Sequence, residues 1–255
     1  MKPEDIATLK LILSRYVITV GGRYSRGKSL LITALGFFDI ILNNRNKFLS
    51  NMPINYDNMF PDKQLKYTPL VQTSQFDNME RDTAIFIDEI QQLINARNSS
   101  STNNKFLTIF QRDVAKLNNR IFGSFQFGDT IDKVFGLAVE IIIIPDYYKK
   151  YSKDITEDNI QRIEHQDFRM NLTIYDKRDG DKYYISGEHF NLYPIIFMYN
   201  TKFKMDKLFL DHRDYVAKLK PMERERFNDI KDYEVKERVN NWHEGLKEIG
   251  KINIR

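Results

Sequence analysis

The sequence predicts an α/β fold with a mostly parallel central sheet flanked by helices. Residues 16 to 145 alternate short apolar runs with stretches of helical spacing, which is typical of a parallel sheet wrapped by helices. The apolar runs are rich in Ile, Val and Phe, as strands covered on both faces require. The chain has 255 residues, of which 42% are hydrophobic, so it can bury one sizeable core together with an appendage. We therefore expect a core unit over 1–145 and an accessory unit over 146–255.

The elements of the core unit follow from these patterns in order. Each predicted strand is a short apolar run, and each predicted helix places apolar residues at helical spacing. The expected strands are Tyr16–Val20, Lys47–Ser50, Leu70–Gln72, Ala84–Asp88, Arg120–Gln126 and Leu137–Ile144, and the expected helices are Lys28–Leu42, Ile90–Ala96 and Phe106–Leu117.

The accessory unit has a different character. Phe168–Tyr175 and Lys182–Ser186 flank a turn-rich segment that contains Asp-Gly, so they predict a β-hairpin. A further apolar run follows at Tyr193–Tyr199. From residue 205 to residue 249 charged and apolar residues mix at helical spacing, and Pro221 divides this stretch into two predicted helices. We expect the hairpin and the helices to pack on the core.

A phosphate-binding loop is the most specific feature of the chain. Residues 22–29 match the pattern G-x-x-x-x-G-K-S/T between a predicted strand and a predicted helix, which is the context this Walker A motif requires. Backbone N–H groups of such a loop bind phosphates, its lysine binds the β- and γ-phosphates, and its hydroxyl binds Mg²⁺. The sequence thus predicts a P-loop NTPase that binds Mg²⁺ through Ser29. The expected nucleotide contacts are Gly22, Arg23, Tyr24, Ser25, Arg26, Gly27, Lys28, Ser29 and Leu30.

A second motif, which is acidic, completes the expected nucleotide site. The apolar strand that begins at Thr83 ends in Asp88-Glu89, as a Walker B motif does. Asp88 is expected to hold Mg²⁺, and Glu89 to orient and deprotonate the attacking water. The alternative is a pair of solvated acids that opens a helix. An adjacent glutamate favours a hydrolysing motor over a GTPase-like switch, and since the guanine-reading signature Asn-Lys-x-Asp is absent, ATP is the expected nucleotide.

Two polar residues extend this site. Gln126 ends an apolar strand at the edge where ligands bind parallel sheets, so its amide is placed to sense the γ-phosphate. It could equally cap a loop. Arg112 lies on the predicted helix before that strand, where a guanidinium could reach a neighbouring subunit's active site or pair with an acid on the surface. The predicted catalytic set is Glu89, Lys28, Gln126 and Arg112, and the predicted Mg²⁺ ligands are Ser29 and Asp88.

Taken in this order, the motifs resemble the FtsK–HerA superfamily of DNA-pumping ATPases. Within it the chain is most similar to viral genome-packaging ATPases and to the zonula-occludens-toxin-like ATPases of filamentous phages. The resemblance spans residues 14 to 145, and its segments are 17–31 with 48–53, 85–91, and Arg112 with 121–132. The loop residues 23–26 depart from it, because relatives usually carry small residues there, and the membrane segment of the phage relatives has no counterpart in the sequence.

The resemblance implies a RecA/FtsK-like sheet in which the Gln126 strand lies between the phosphate-loop strand and the Asp88 strand. It also implies a ring, usually a hexamer, in which one arginine acts across the subunit interface. Arg112 matches that arginine, with Arg97 and Arg120 as alternatives. Asn98–Asn104, followed by Lys105, is either a solvent loop or a loop that becomes ordered on DNA or on a neighbouring subunit.

The function implied is an ATP-driven translocase of double-stranded DNA, with viral genome packaging as the leading interpretation. A capsid or portal protein is then an expected partner, and the host cytoplasm or the virion the expected location. Two alternatives stay open: a plasmid-transfer ATPase, and an ATP-dependent assembly scaffold with slow hydrolysis. A small-molecule kinase is disfavoured, because no arginine cluster typical of a lid follows Gln126.

Composition narrows these possibilities. The chain has no cysteine, which excludes a disulfide scaffold and a cysteine-based zinc site, and its 4 histidines lack metal-type spacing. With 39 Lys and Arg against 35 Asp and Glu, the formal charge of +4 permits contact with nucleic acid without demanding it. The sequence predicts neither a secretory signal nor a membrane span.

Overall fold

A computed structural model describes residues 2–23, 27–71, 75–76, 79–90, 113–126, 138–149, 168–187, 192–200 and 221–252. Eight strands form one sheet in the order β3-β2-β4-β5-β1-β6-β7-β8. Neighbouring strands are parallel from β3 through β6, whereas β7 and β8 are antiparallel to the strands they follow. The strands are β1 (Val17–Gly22), β2 (Lys47–Ser50), β3 (Lys66–Pro69), β4 (Thr83–Ile87), β5 (Arg120–Gln126), β6 (Ile141–Lys149), β7 (Phe168–Asp176) and β8 (Lys182–Ile185).

Three α-helices have bounds that the structure describes: α1 (Pro3–Ile12), α2 (Lys28–Asn43) and α3 (Pro221–Ile252). Residues 113–116, near the end of the predicted helix Phe106–Leu117, are also helical. The rest of that helix, and the predicted helix Ile90–Ala96 beyond its first residue, lie outside the described residues. The predicted α/β class is confirmed. So is the placement of the Gln126 strand, because β5 pairs with β1 on one side and with β4 on the other.

The core lies on both faces of the sheet. Along β4, Phe86 belongs to one apolar cluster while Ile85 and Ile87 belong to the other, since successive side chains of a strand point to opposite faces. The first cluster includes the buried side chains of α1 and α2, and the second includes Val114. This two-sided burial explains why the strand sequences are apolar almost throughout.

Most predicted elements agree with the structure to within a residue or two at their ends. β2 and β5 have the predicted bounds, and α2 begins at Lys28 as predicted. The predicted strand Leu70–Gln72 is wrong, because the strand is Lys66–Pro69. Leu70 is buried and its N–H donates to Ser50 O at 2.7 Å, but it follows the strand and does not belong to it. The partly exposed edge strand lacks the apolar run on which the prediction relied.

β6 also differs from its prediction. It runs past Pro145, which the sequence interpretation took as its end. Proline is tolerated here because β6 pairs with β1 only through Ile143, so the missing N–H falls beyond the shared ladder. The antiparallel partner β7 continues alongside, with Pro145 opposite Leu172.

The predicted hairpin is confirmed as β7 and β8, and it extends the same sheet through β6. The proposed boundary at residue 145 therefore falls inside a strand, while the division into two units stays a prediction. Tyr193–Met198 forms a 3₁₀ helix, and α3 begins at Pro221, the predicted break. Asn200 Nδ2 donates to Glu248 Oε2 at 2.6 Å, which ties α3 to the segment after the 3₁₀ helix. No helix in the described ranges is long and apolar enough to cross a membrane.

A buried arginine holds the hairpin against the start of the core. Arg15 donates from Nη2 to Asp176 Oδ2 at 2.6 Å and also pairs with Asp179. Burial acts to raise the pKa of Asp176, but hydrogen bonds from Arg15 and from the N–H groups of Arg178 and Asp179 outweigh it, so the pKa lies below its ordinary value. The folded chain therefore favours the charged form of Asp176.

This pair predicts an acid-dependent loss of stability. Between the folded pKa of Asp176 and its ordinary value of 3.8, the unfolded chain binds a proton that the folded chain does not. The stabilisation is complete above that window and is lost as the pH falls through the folded pKa. The test is urea unfolding at pH 7 and at a series of acidic pH values. As the pH falls, the unfolding free energy of Asp176→Asn should decline less steeply than that of the wild type. A decline as steep as that of the wild type would exclude this role.

Candidate active site

The predicted site residues meet at the carboxyl edge of the parallel strands. β1 ends at Gly22, β4 ends at Ile87 and β5 ends at Gln126, and the register places Gly22 opposite Gln126 and Ile87 opposite Gly123. Parallel strands present their carboxyl ends at one edge, where ligands of such sheets bind. The phosphate loop, Asp88-Glu89 and Gln126 therefore lie side by side.

The phosphate loop leads directly into α2. Gly27 precedes the helix in the left-handed region, with φ 74°, a conformation that glycine adopts without a Cβ penalty. Leu31 N–H donates to Gly27 O at 2.9 Å and so begins the helical ladder. Lys28 is buried, and its Nζ donates to Arg23 O at 2.9 Å, across the loop. The lysine head is therefore held inside the loop by main-chain oxygen.

Asp88 is bound by hydroxyl groups from two directions. Ser29 Oγ donates to Asp88 Oδ2 at 2.6 Å, and Ser124 Oγ donates to Asp88 Oδ1. The carboxylate is buried, with 8% of the residue exposed. The juxtaposition of Ser29 and Asp88 brings together the two oxygen ligands that the sequence interpretation assigned to Mg²⁺.

Asn51 clamps the backbone of Asp88 from the other side. Its Nδ2 donates to Asp88 O at 2.9 Å, and Asp88 N–H donates to Asn51 Oδ1 at 2.9 Å. The amide thus replaces the next rung of the β2–β4 ladder, which ends at Ser50 opposite Phe86. The peptide of Asp88 is fixed at both its N–H and its C=O.

Glu89 occupies a sharp corner after β4. Its φ is 54°, which places a non-glycine residue in the left-handed region. Its N–H donates to Ser124 Oγ at 2.8 Å, and Gln126 Nε2 donates to its Oε1 at 3.3 Å. Ile90, which follows, packs so close to Gly123 that a Cβ there would lie 2.9 Å from Ile90 Cδ1. The corner and β5 are therefore in direct contact.

Arg120 does not fit a role across a subunit interface. It is the first residue of β5, at the opposite edge from Gln126, and only 4% of it is exposed. Its Nη1 is paired with Asp39, and its Nε donates to Arg15 O at 2.9 Å. A guanidinium committed to buried partners cannot extend into a neighbour, so Arg120 is removed as a candidate.

The remaining predicted residues divide into two groups. Leu30 is buried in the core and presents its side chain to the apolar cluster, not to the phosphate side. Tyr24, Ser25, Arg26, Arg97, Arg112, Lys105 and the loop Asn98–Asn104 lie outside the described residues. Among the described residues, no group of three or more His, Cys, Asp and Glu side chains is arranged to hold a metal ion.

Two site residues received no role from the sequence. Asn51 lies in the segment 48–53 of the resemblance, and Ser124 lies inside the predicted strand Arg120–Gln126. A polar residue in an otherwise apolar strand, close to its carboxyl end, is a signal that could have identified Ser124.

The comparisons with known proteins give structural neighbours only: no family model and no curated protein matches the chain. The genome packaging NTPase B204 from Sulfolobus turreted icosahedral virus 2, in complex with ATP-gammaS, is 13% identical over 67% of this chain and 96% of its own, with a TM-score of 0.44. The N-terminal domain of zonular occludens toxin from Neisseria meningitidis is 13% identical over 72% of this chain and 98% of its own, with a TM-score of 0.44. The flagellar accessory protein FlaH from Methanocaldococcus jannaschii is 18% identical over 64% of this chain and 77% of its own, with a TM-score of 0.39.

The sheet order, with β5 between β1 and β4, and the loop that joins β1 to α2 agree with the fold predicted from the sequence. The chain has the P-loop NTPase fold, with a mostly parallel sheet and a phosphate loop between its first strand and the following helix.

Proposed function

We propose that the chain hydrolyses ATP and uses the free energy to translocate double-stranded DNA, as a viral genome-packaging motor. One observation supports hydrolysis above all: Asp88 contacts the Ser29 hydroxyl at 2.6 Å, while the adjacent Glu89 contacts the amide of Gln126 at 3.3 Å. A metal-binding pair and a carboxylate base thus adjoin at the mouth of a phosphate loop. This is the minimum that ATP hydrolysis requires from a P-loop site.

The residues present fit Mg²⁺ with ATP. A hydroxyl and a carboxylate in mutual contact offer the hard oxygen ligands that Mg²⁺ prefers when phosphate and water supply the rest. Ser29 and Asp88 would hold the ion, and its positive charge would offset the negative charge that develops on the phosphates. Lys28 would exchange its contact with Arg23 O for the β- and γ-phosphates.

Glu89 and Gln126 have separate proposed roles, the first as general base and the second as sensor of the γ-phosphate. The Glu89 carboxylate would orient a water molecule towards the γ-phosphate and accept its proton as the oxygen attacks phosphorus and the bond to the departing ADP breaks. Gln126 contacts Glu89 and ends β5 opposite Gly22 of the phosphate loop, so its amide would link the state of the phosphate to the state of the base. We propose that Arg112 of a neighbouring subunit in a homo-oligomeric ring, a hexamer in the leading interpretation, completes the charge stabilisation.

The DNA-binding part of the proposal rests on the sequence resemblance and on the basic net charge of +4. Binding should be made mainly to phosphates, because a translocase must hold any sequence it moves. Such binding weakens steeply as the salt concentration rises.

The experiment that tests this function measures steady-state ATP hydrolysis with and without double-stranded DNA. We expect DNA to raise kcat several-fold for the native chain, with the stimulation falling as KCl is added. Lys28→Ala should abolish both the basal and the stimulated rate. Single-stranded DNA and heparin, at matched phosphate or sulfate concentration, serve as controls for nonspecific polyanion effects.

Each other outcome identifies a different function. Slow hydrolysis that is indifferent to every polyanion would contradict a translocase and favour an ATP-dependent assembly scaffold. Stimulation by single-stranded DNA alone would favour a plasmid-transfer ATPase. Stimulation by heparin as strong as that by DNA would contradict a nucleic-acid motor.

A further inference from the structure

We propose that Ser124 is a positioning residue for hydrolysis, which holds the metal-binding carboxylate and the catalytic base in one fixed geometry. Ser124 lies on β5 just before the strand end and is fully buried. Its single hydroxyl donates to Asp88 Oδ1 and accepts the N–H of Glu89 at 2.8 Å. One oxygen atom therefore contacts both residues on which the proposed reaction depends.

The corner at Glu89 needs such a support. The β4–β5 ladder ends with Ile87 opposite Gly123, so the N–H of Glu89 lies outside this main-chain ladder. The left-handed conformation of Glu89, with φ 54°, is unfavourable for a residue with a Cβ and persists only where the surroundings determine it. The Ser124 hydroxyl accepts a hydrogen bond from the Glu89 N–H and thereby fixes where the Glu89 backbone turns.

The corner that this hydroxyl supports is also in contact with the sensing residue through the Glu89 side chain. Gln126 follows Ser124 on β5 and contacts the Glu89 carboxylate from the strand end. Asp88, Ser124, Glu89 and Gln126 thus form one continuous set of hydrogen bonds from the metal-binding carboxylate to the sensor amide. This inference rests on the proposed hydrolysis of ATP and adds to it the residue that aligns its two carboxylates.

The first test compares Ser124→Ala with Ser124→Thr, because alanine removes the hydroxyl while threonine retains it. In Ser124→Ala we expect kcat to fall about 10- to 100-fold, since a small displacement of a reacting group costs that much, with the KM for ATP little changed. Ser124→Thr should keep most of the rate. Thr19→Val is the matched control, because it removes a buried hydroxyl of β1 that donates to Ile141 O at 3.2 Å, away from both carboxylates.

A double-mutant cycle separates positioning from a general loss of structure. If Ser124 acts through the base, Ser124→Ala should add little to the defect of Glu89→Gln, whose residual rate is measured with radiolabelled ATP over long incubations. Defects that multiply in full would show that Ser124 acts elsewhere, and the inference would be overturned.

A final measurement needs no ATPase activity. Hydrogen exchange of the peptide that covers residues 84–90 should become about tenfold faster at its last amides in Ser124→Ala and stay unchanged in Thr19→Val, because only the first variant removes the acceptor of the Glu89 N–H. Unchanged exchange in Ser124→Ala overturns the inference whether or not the chain hydrolyses ATP. An inactive native chain with the expected exchange would instead refute the proposed function and leave the structural role of Ser124 supported.

Discussion

Glu89→Gln is expected to lower kcat for ATP hydrolysis by about 10²- to 10⁴-fold, because the amide cannot accept the proton of the attacking water. ATP affinity should stay close to that of the native chain, since Lys28, Ser29 and Asp88 are unaltered and keep the contact of Lys28 with Arg23 O and that of Ser29 with Asp88. The backbone corner should also survive, because the Glu89 N–H to Ser124 bond is a main-chain donation. The measurement is kcat from initial rates, together with the Kd for a fluorescent ATP analogue.

Glu80→Gln is the matched control for this variant. Glu80 is an exposed carboxylate that pairs with Lys47 and Lys66 at the base of β2 and β3, so the same chemical change there should leave kcat unchanged. If Glu89→Gln retains more than about a tenth of the native rate, a general base at this position is ruled out. If ATP binding is lost as well, the defect lies in folding or in the metal site.

Asp39→Asn is expected to cost about 3–5 kcal/mol of unfolding free energy, the largest effect on stability that we predict. Asp39 is fully buried on α2, with Arg45 Nε 2.8 Å from its Oδ2 and Arg120 paired with its Oδ1. Burial raises the pKa of Asp39 against the opposing charges of the two arginines, and burial lowers the pKa of Arg120 to about 10. Each of these ions is costly to bury alone, and removal of the carboxylate leaves two buried guanidinium groups without the charge that offsets theirs.

Urea unfolding monitored by circular dichroism measures this effect. Asp62→Asn, at an exposed position, is the control and should change the unfolding free energy by no more than about 0.5 kcal/mol. A joint replacement of Asp39, Arg45 and Arg120 by apolar residues of similar volume should restore much of the loss, because it removes the charges together with their dehydration. A cost below about 1 kcal/mol for Asp39→Asn would show that the charges of Asp39 and its two arginines are solvated.

The sequence predicted those parts of the fold in which burial dictates composition. β4 and β5 are covered on both faces, so their apolar runs were visible, and the phosphate loop fixed the start of α2. β3 was misplaced because an edge strand needs no continuous apolar run. The helix α1 was not predicted, although Pro3 and the acids of its first turn mark its beginning, since its few apolar residues form only a short repeat.

Prediction of the site was limited in a different way. The types of residue that bind phosphate and metal could be recognised from their spacing, and the structure brings Ser29, Asp88, Glu89 and Gln126 together. Ser124 and Asn51 could not be recognised from spacing alone, because their roles come from contacts between strands that are distant in the chain. Arg120 was a candidate by position in the sequence, and the strand direction places it at the far edge of the sheet.

The pairing of β5 limits how the proposed ATP hydrolysis could be coupled to a conformational change. β5 is in register with β1 from Ile121 to Gln126 and with β4 from Arg120 to Gly123, so it cannot slide lengthwise without breaking two ladders at once. Because it is paired on both sides, β5 is expected to stay in place during a reaction cycle. In the proposed motor, a response to loss of the γ-phosphate would therefore begin with the side chains of Gln126 and Glu89, which contact each other, and not with a lengthwise displacement of β5.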